Sequence, residues 1–268
     1  MSVTHHKKQH FVPKTYLKSW GENVGKEYVL YTHNLKDNLT RKQTISQIAR
    51  QNNLYSLPEG ISTVDPKITE KVILNNWEKN WYKVVAGLNR NELSKEEVSI
   101  LKGFVIAQSF RTPKFKRENL DRIKRFESEE NALLDFSYHF AFLGMNGFVE
   151  YQKNCICAVL YIADLDNFIC SDNPATHWIF DEVGATYVNG IAGRNDLFKN
   201  LNYKIVCSVT PKHLAILTPN LGIDVPESQK DSCLIKRIDK DAIWNFNKMI
   251  EFGSDKLLFA KNIYDFAK

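Results

Sequence analysis

Helical spacing of apolar residues runs through the middle of the chain and stops near two glycines, Gly144 and Gly147. The spacing predicts three successive helices, over residues 66–88, 94–112 and 114–142. The first begins at a proline, which fits the first helical position. The second begins with Ser94 and Glu97, a pair that forms a capping box and satisfies the free amides of the first turn. The centre of the chain is therefore predicted to be helical.

Short segments rich in β-branched and aromatic residues follow the second glycine, with turn residues between them: CICAVLYIA, NFICSD, ATHWIF, YKIVCSVT and HLAILT. They predict a mixed or antiparallel sheet of roughly four to six strands. An earlier strand, KEYVLYTH, runs into a polar turn near residue 34. From Asp239 onward the apolar spacing again predicts a helix, and its buried positions include Leu257 and Leu258.

This order of elements predicts an α+β fold with three long central helices, a mixed or antiparallel sheet and a C-terminal helix. A chain of 268 residues is near the upper limit for one hydrophobic core. We therefore expect a single domain, 1–268. It would comprise an N-terminal strand and loop segment (1–60), a helical part (61–147), and a sheet with the terminal helix (148–268).

Cysteine usage and the N-terminal residues bear on location. The five cysteines are an odd number, and they lie in apolar or strand-like surroundings, which favours reduced core thiols over a disulfide framework. The first nine residues are polar and basic, unlike a secretory signal peptide. No apolar run is long enough to span a membrane. We expect a cytoplasmic protein that does not interact with membranes.

Four polar residues in unusual local settings are the catalytic candidates: His10, Arg111, Asp172 and Asn173. His10 precedes an X-Pro pair, Arg111 follows a helix, and Asp172 and Asn173 follow a strand, where mixed folds often place reactive groups. A structural role is the alternative for each of them. The histidine would be hydrogen-bonded in the core, the arginine would neutralise helix carbonyls, and the Asp-Asn pair would form a turn before Pro174.

Basic residues are concentrated after the second helix, with seven between Arg111 and Arg125 against two acidic ones. Phosphate groups of RNA or DNA are candidate partners for this stretch, although such a run is more often a solvated helix face. The net charge of +5 does not decide between these readings. The substrate-binding candidates are Tyr16, Gln108, Lys114, Lys116 and Arg117.

Several motifs of known chemistry are missing. The sequence contains no CxxC pair, no HExxH, no phosphate-binding glycine loop and no G-x-S-x-G. A zinc site is therefore not expected, and no metal ligands are assigned. A divalent metal at Asp172 is the one cofactor candidate, because a carboxylate at the end of a strand is a suitable ligand.

Five segments taken in order resemble the bacterial family catalogued as domain of unknown function 4238: QHFVPKTYLKSW, EYVLYTHN, ISQIARQNNLYSL, QSFRTP and FICSDNP. The later segments SVTPKHLAILT and WNFNKMIEFGSDKLLFAKN also resemble that family, the second as its terminal helix. The resemblance covers nearly the whole chain. It implies that the recurring positions of the family correspond here to His10, Pro13, Tyr16, Tyr55, Glu70, Arg111, Pro113, Ser171, Asp172, Asn173 and Pro174.

Two functions fit these observations. The first is a phosphodiester hydrolase, a nuclease with a role in defence or as a toxin, in which His10 transfers a proton, Arg111 holds negative charge and Asp172 orients the histidine or a metal-bound water. The second is a non-catalytic module that binds nucleic acid or protein, in which the same residues are structural. Convergence of the side chains on one cleft would favour the enzyme, whereas a buried network of mutually satisfied groups would favour the binding module.

Overall fold

Most strands lie towards the two ends of the chain, and three successive helices lie between these two groups of strands. The computed structural model describes residues 8–52, 75–123, 155–161, 166–189, 200, 202–218, 226 and 232–266. Its helices are α1 (Lys14–Leu17), α2 (Asn75–Asn89), α3 (Lys95–Phe110), α4 (Pro113–Ile123) and α5 (Lys240–Gly253). Its strands are β1 (Lys8–His10), β2 (Glu22–Val24), β3 (Glu27–Asn34), β4 (Leu39–Thr44), β5 (Arg50–Asn52), β6 (Ile156–Tyr161), β7 (Cys170–Ser171), β8 (Ala175–Phe180), β9 (Ala185–Tyr187), β10 (Tyr203–Thr210), β11 (His213–Thr218), β12 (Cys233–Arg237) and β13 (Leu257–Ala260). A short 3-10 helix, Ile263–Phe266, follows β13.

The largest sheet has six strands in the order β12-β6-β11-β10-β8-β9. Its pairs are antiparallel except for β12 with β6, which run parallel and place Cys233 opposite Cys157. β10 is buried along almost its whole length, as expected for a central strand that is covered on both faces.

A second sheet joins the N-terminal strands to the end of the chain. Its order is β2-β3-β13-β7, and β4 also pairs with β3. β13 is antiparallel to both β3 and β7, so the C-terminal strand lies between an early strand and a strand from the middle of the chain. β1 and β5 form a separate two-stranded ribbon.

Helix α3 is the central helix, and it is buried on almost all sides. Its start is fixed locally, because Ser94 Oγ accepts the Glu97 amide at 3.3 Å and the Glu97 carboxylate accepts the Ser94 amide at 2.8 Å. A Cβ at Gly103 would lie 2.1 Å from Trp77 Nε1, so the absence of a side chain lets the α2 indole rest on the α3 backbone. α3 also packs against β8 and β10.

The main hydrophobic core lies between helices α2 and α3 and the strands of both large sheets. Tyr16, Trp81 and Phe104 stack within it, with ring centroids 3.9 to 5.8 Å apart. A smaller cluster lies beneath α5 and contains Ile243, Ile250 and neighbouring strand residues.

The predicted α+β class with a C-terminal helix is confirmed. The second predicted helix is confirmed together with its capping box. α2 and α4 confirm the described parts of the first and third helices, whose remaining predicted residues, 66–74 and 124–142, lie outside the described part of the chain. In the described residues, no helix has both the length and the apolar content needed to cross a membrane.

The extension of the last helix through Leu257 and Leu258 was wrong. α5 ends at Gly253, and both leucines belong to β13. Their apolar spacing fits a helix, but β13 is built by non-local pairing with β3 and β7. The strand predicted before the SDNP turn is also shorter than expected and contains only Cys170 and Ser171.

Candidate functional site

Arg111 lies at the elbow between α3 and α4 and connects three elements. Its side chain is only 5% exposed. Nη1 donates to Glu78 Oε1 on α2 at 2.5 Å, and Nη2 donates to the His10 carbonyl oxygen at the end of β1 at 2.7 Å. The planar guanidinium therefore uses two of its donors to hold the N-terminal ribbon and α2 at the end of α3.

His10 meets Arg111 through its main chain. The imidazole is half-buried, and its Nε2 has no hydrogen-bond partner among the described residues. Burial, followed by the charges of Lys14 and Arg50, lowers the pKa of His10, so the ring is neutral at neutral pH. The Arg111 guanidinium therefore meets His10 through the His10 peptide carbonyl.

Asp172 anchors the connection between α5 and β13. Its Oδ1 accepts the Asp255 amide at 2.8 Å, and its Oδ2 accepts the amides of Lys256 and Leu257 at 2.9 and 3.2 Å. Burial raises the pKa of Asp172 to about 6, although the three amide hydrogen bonds oppose that shift. The carboxylate satisfies donors of an irregular segment that would otherwise lack acceptors.

Asn173 and Lys114 bind the carboxyl end of α5. Asn173 Nδ2 donates to the Gly253 carbonyl at 2.8 Å, and its Oδ1 accepts Thr112 Oγ1 at 2.6 Å. Lys114 Nζ donates to the carbonyls of Gly253 and Ser254, both at 3.0 Å. A cation at this position complements the free carbonyls and the negative end of the helix dipole.

Two further basic residues of α4, Lys116 and Arg117, are also engaged with the protein or partly buried. Arg117 forms an ion pair with Asp255 at 2.7 Å, although its own side chain is half exposed. Burial lowers the pKa of Lys116. Lys114, besides its carbonyl contacts, lies 4.7 Å from the centre of the Tyr187 ring. These interactions leave less of the basic stretch available to a phosphate than the sequence indicates.

Tyr16 and Gln108 fasten the first helical turn to the core. The Tyr16 hydroxyl donates to the Ser208 carbonyl and contacts Cys170 Sγ at 3.0 Å, and the ring is fully buried. Gln108 Nε2 donates to the Phe11 carbonyl at 2.7 Å. Both predicted substrate-binding residues therefore hold backbone segments together.

The predicted residues form two linked groups. Arg111, Gln108 and the His10 carbonyl join α3 to the N-terminal segment, while Asp172, Asn173, Lys114 and Arg117 hold the α5–β13 connection. Thr112 links the two through its hydrogen bond to Asn173. We call this combined set the anchor network. In the described ranges, no group of three or more His, Cys, Asp or Glu residues could hold a metal ion, and Asp172 faces amide donors.

A separate cavity, which the sequence did not predict, lies along α5. Its volume is about 460 Å³, and we call it the α5 cleft. The walls come from the end of β3, the segment before β7, α5, β13 and the terminal 3-10 helix, and they include Asp166, Asn167, Trp244, Asn247, Glu251 and Phe266. One feature of the sequence pointed to this cavity: Trp244 falls on the polar side of the amphipathic helix α5. In the structure its side chain is 47% exposed.

Comparison with known proteins gives the family of the chain and no function. No curated protein and no solved structure matches the sequence. The family model described as protein of unknown function (DUF4238) matches residues 8–263. The expected resemblance is thereby confirmed over nearly the full length. This chain belongs to the DUF4238 family of proteins of unknown function.

Proposed function

We propose that this chain is a non-catalytic binding module whose anchor network is structural. The observation that carries the proposal is the use of the polar side chains by the protein itself. Asp172 accepts three backbone amides, and Arg111 and Lys114 each donate to main-chain carbonyls. Groups that must bind a substrate or move a proton need free hydrogen-bonding capacity directed at that substrate.

The position of the network supports the same proposal. Its hydrogen bonds to the main chain end on irregular backbone: the strand end at His10 and Phe11 after it, the end of α5, and the turn before β13. Irregular backbone has donors and acceptors that no ladder or helix satisfies, and buried polar side chains are the usual means of satisfying them. The binding surface of such a module would lie elsewhere, and the α5 cleft is the candidate.

A phosphodiester hydrolase of the nuclease type is the competing proposal, and one observation favours it. Burial raises the pKa of Asp172 to about 6, which is near the range of a general base at neutral pH. His10, neutral at that pH, would be the second group. An RNA or DNA substrate would contact Lys116 and Arg117 in this alternative.

Nuclease assays on the purified protein separate the two proposals. Fluorescent RNA and DNA would be incubated with and without Mg²⁺ or Mn²⁺, using wild type, Asp172→Asn, Arg111→Lys and Asp37→Asn. Asp37 is a matched control, because its exposed carboxylate also accepts a backbone amide. The binding module predicts no cleavage that depends on Asp172 or Arg111, and lower melting temperatures for those two variants only. Cleavage that is lost in Asp172→Asn at an unchanged melting temperature would establish the hydrolase.

Nucleic-acid binding needs its own measurement, because a module without chemistry can still bind RNA. Affinity for RNA and DNA would be measured against salt concentration, with Lys116→Glu/Arg117→Glu as the variant. Phosphate contacts give a steep fall with salt that charge reversal flattens. Because Arg117 already pairs with Asp255, we expect weak binding and a slope that the reversal leaves nearly unchanged.

A further inference from the structure

The α5 cleft has the size and composition of a ligand site. Its volume of about 460 Å³ is within the range of small-molecule pockets. The apolar part of the lining comes from Ile169, Ile243 and Leu258, and two aromatic side chains, Trp244 and Phe266, are also present. A half-exposed indole beside a cavity presents a large flat surface that no described residue covers fully.

The polar lining consists mainly of acceptors. Four carboxylates line the cleft against two lysines: Asp166, Asp241, Glu251 and Asp265, with Lys240 and Lys248. Asp241 is exposed and has no hydrogen bond or ion pair with any described residue. A ligand that complements this lining carries donors and positive charge.

The amide groups of the cleft are already used. Asn247 Nδ2 donates to the Asn167 carbonyl at 3.0 Å, and Asn247 Oδ1 accepts the Ile169 amide at 3.0 Å. Asn167 Nδ2 donates to Asp265 at 3.1 Å. These bonds fix the floor of the cleft and use both amides together with the Asp265 carboxylate, so Asp241 and Glu251 are the carboxylates that can face a ligand.

The position of the Lys248 ammonium in the cleft shows which kind of ligand group fits beside Trp244. Lys248 Nζ lies 5.7 Å from the centre of the Trp244 ring and 3.0 Å from Glu251 Oε2. An ammonium group is therefore held between an aromatic face and a carboxylate, the arrangement that recognises organic cations. The Lys248 side chain is 49% exposed, so it can turn outward and leave that place to a ligand.

We propose that the α5 cleft binds a small aliphatic diamine or polyamine, with one ammonium between Trp244 and Glu251 and another near Asp241. The methylene chain would lie against the apolar floor. This proposal rests on the proposed binding function and names its ligand class. The cleft variants lie outside the anchor network, so a failed amine experiment and a positive nuclease assay are separate results.

Calorimetric titration with spermidine and cadaverine tests the proposal, with a pentane diol as the uncharged analogue of the same chain. Trp244→Ala is expected to weaken amine binding by roughly 5- to 30-fold, the range of a partly desolvated cation–π contact. Asp241→Asn/Glu251→Gln is expected to weaken it at least about fivefold and to reduce its salt dependence. All three substituted residues are at least partly exposed, so the variants should fold.

Matched controls lie elsewhere on the surface. Glu182→Gln removes an exposed carboxylate from the β8–β9 turn, and Tyr82→Ala removes an aromatic ring that is 66% exposed on α2. Neither should change amine affinity. Lys248→Met should tighten binding because it removes the ammonium that competes for Glu251 and the indole, whereas Lys236→Met, on β12, should have no effect.

Four results of the titrations with free amines would overturn the proposal. They are the absence of amine binding at millimolar concentration, equal weakening by the control variants, equal affinity for the diol, and equal tightening by Lys236→Met. Binding of a lysine-containing peptide without binding of free diamines would also overturn it, because the ligand would then be a segment of a partner protein.

Discussion

Removal of the Asp172 carboxylate is the most direct test of the anchor network. Asp172→Ala leaves the amides of residues 255, 256 and 257 without their acceptor. An unsatisfied buried donor costs about 1–3 kcal/mol, so three of them could cost as much as about 9 kcal/mol. Lys256 is exposed and the other two residues are partly exposed, so water can replace part of what is lost. We expect a loss of about 3–4 kcal/mol.

The assay is thermal and chemical unfolding of purified variants. At about 2–4 °C per kcal/mol for a domain of this size, Asp172→Ala should melt roughly 6–16 °C below wild type. The melting temperature of Asp172→Asn should lie between those of wild type and Asp172→Ala, because the side-chain amide oxygen of asparagine can still accept a hydrogen bond. Asp37→Ala, which removes an exposed acceptor, should change the free energy of unfolding by less than about 1 kcal/mol. Asp172→Ala within about 2 °C of wild type would refute the structural role.

The pH dependence of the stability difference between wild type and Asp172→Asn gives an independent check on the environment of Asp172. The folded pKa of Asp172 is about 6, above its ordinary value of 3.8, so the native state binds a proton more readily than the unfolded chain. Stability contributed by this group is fully present below about pH 4 and is lost as pH rises through about 6. Wild type should therefore lose roughly 3 kcal/mol relative to Asp172→Asn across that window. A constant difference would show that the carboxyl titrates normally.

Three further predictions address other buried groups. Burial lowers the pKa of His177 to about 4, so wild-type stability relative to His177→Gln should fall by up to about 3 kcal/mol as pH drops from about 6.5 to 4 in denaturant titrations. Arg111→Lys cannot reach both Glu78 and the His10 carbonyl and should lose about 2 kcal/mol by the same method. The sulfurs of Cys157 and Cys233 are 3.0 Å apart, so a thiol oxidant should join them in a disulfide, which free-thiol labelling would detect as the loss of two thiols. The disulfide should raise the free energy of unfolding by about 4 kcal/mol.

Features that depend on neighbours in sequence were predictable. The capping box of α3 needs only Ser94 and Glu97, three residues apart, and its hydrogen bonds are those that the sequence indicates. The turn after β3 and the end of α3 before Pro113 are fixed in the same local way. The boundary between α5 and β13 was not predictable, because β13 forms by pairing with residues 31–34 and 170–171, which are distant in sequence.

The site could be predicted only as a set of residue types. Sequence identified Arg111 and Asp172 as unusual polar residues, but their partners lie far away: Glu78 is 33 residues from Arg111, and the amides held by Asp172 are 83 to 85 residues from it. The α5 cleft was missed for the same reason, since its walls come from five separate segments. Propensity and spacing describe one segment at a time and contain no information about which segments meet.

Polar residues at the ends of strands and helices therefore have two opposite interpretations that sequence alone cannot separate. A catalytic carboxylate and an anchoring carboxylate both follow an apolar strand, and both fit a turn before proline. What distinguishes them is the direction of their hydrogen bonds, toward open space or toward backbone. At Asp172 all three bonds go to backbone amides, and at Arg111 the Nη2 bond goes to a main-chain carbonyl. In the α5 cleft, by contrast, Asp241 has no partner among the described residues and Trp244 is half exposed, so the polar and aromatic groups of this cleft remain open to a ligand.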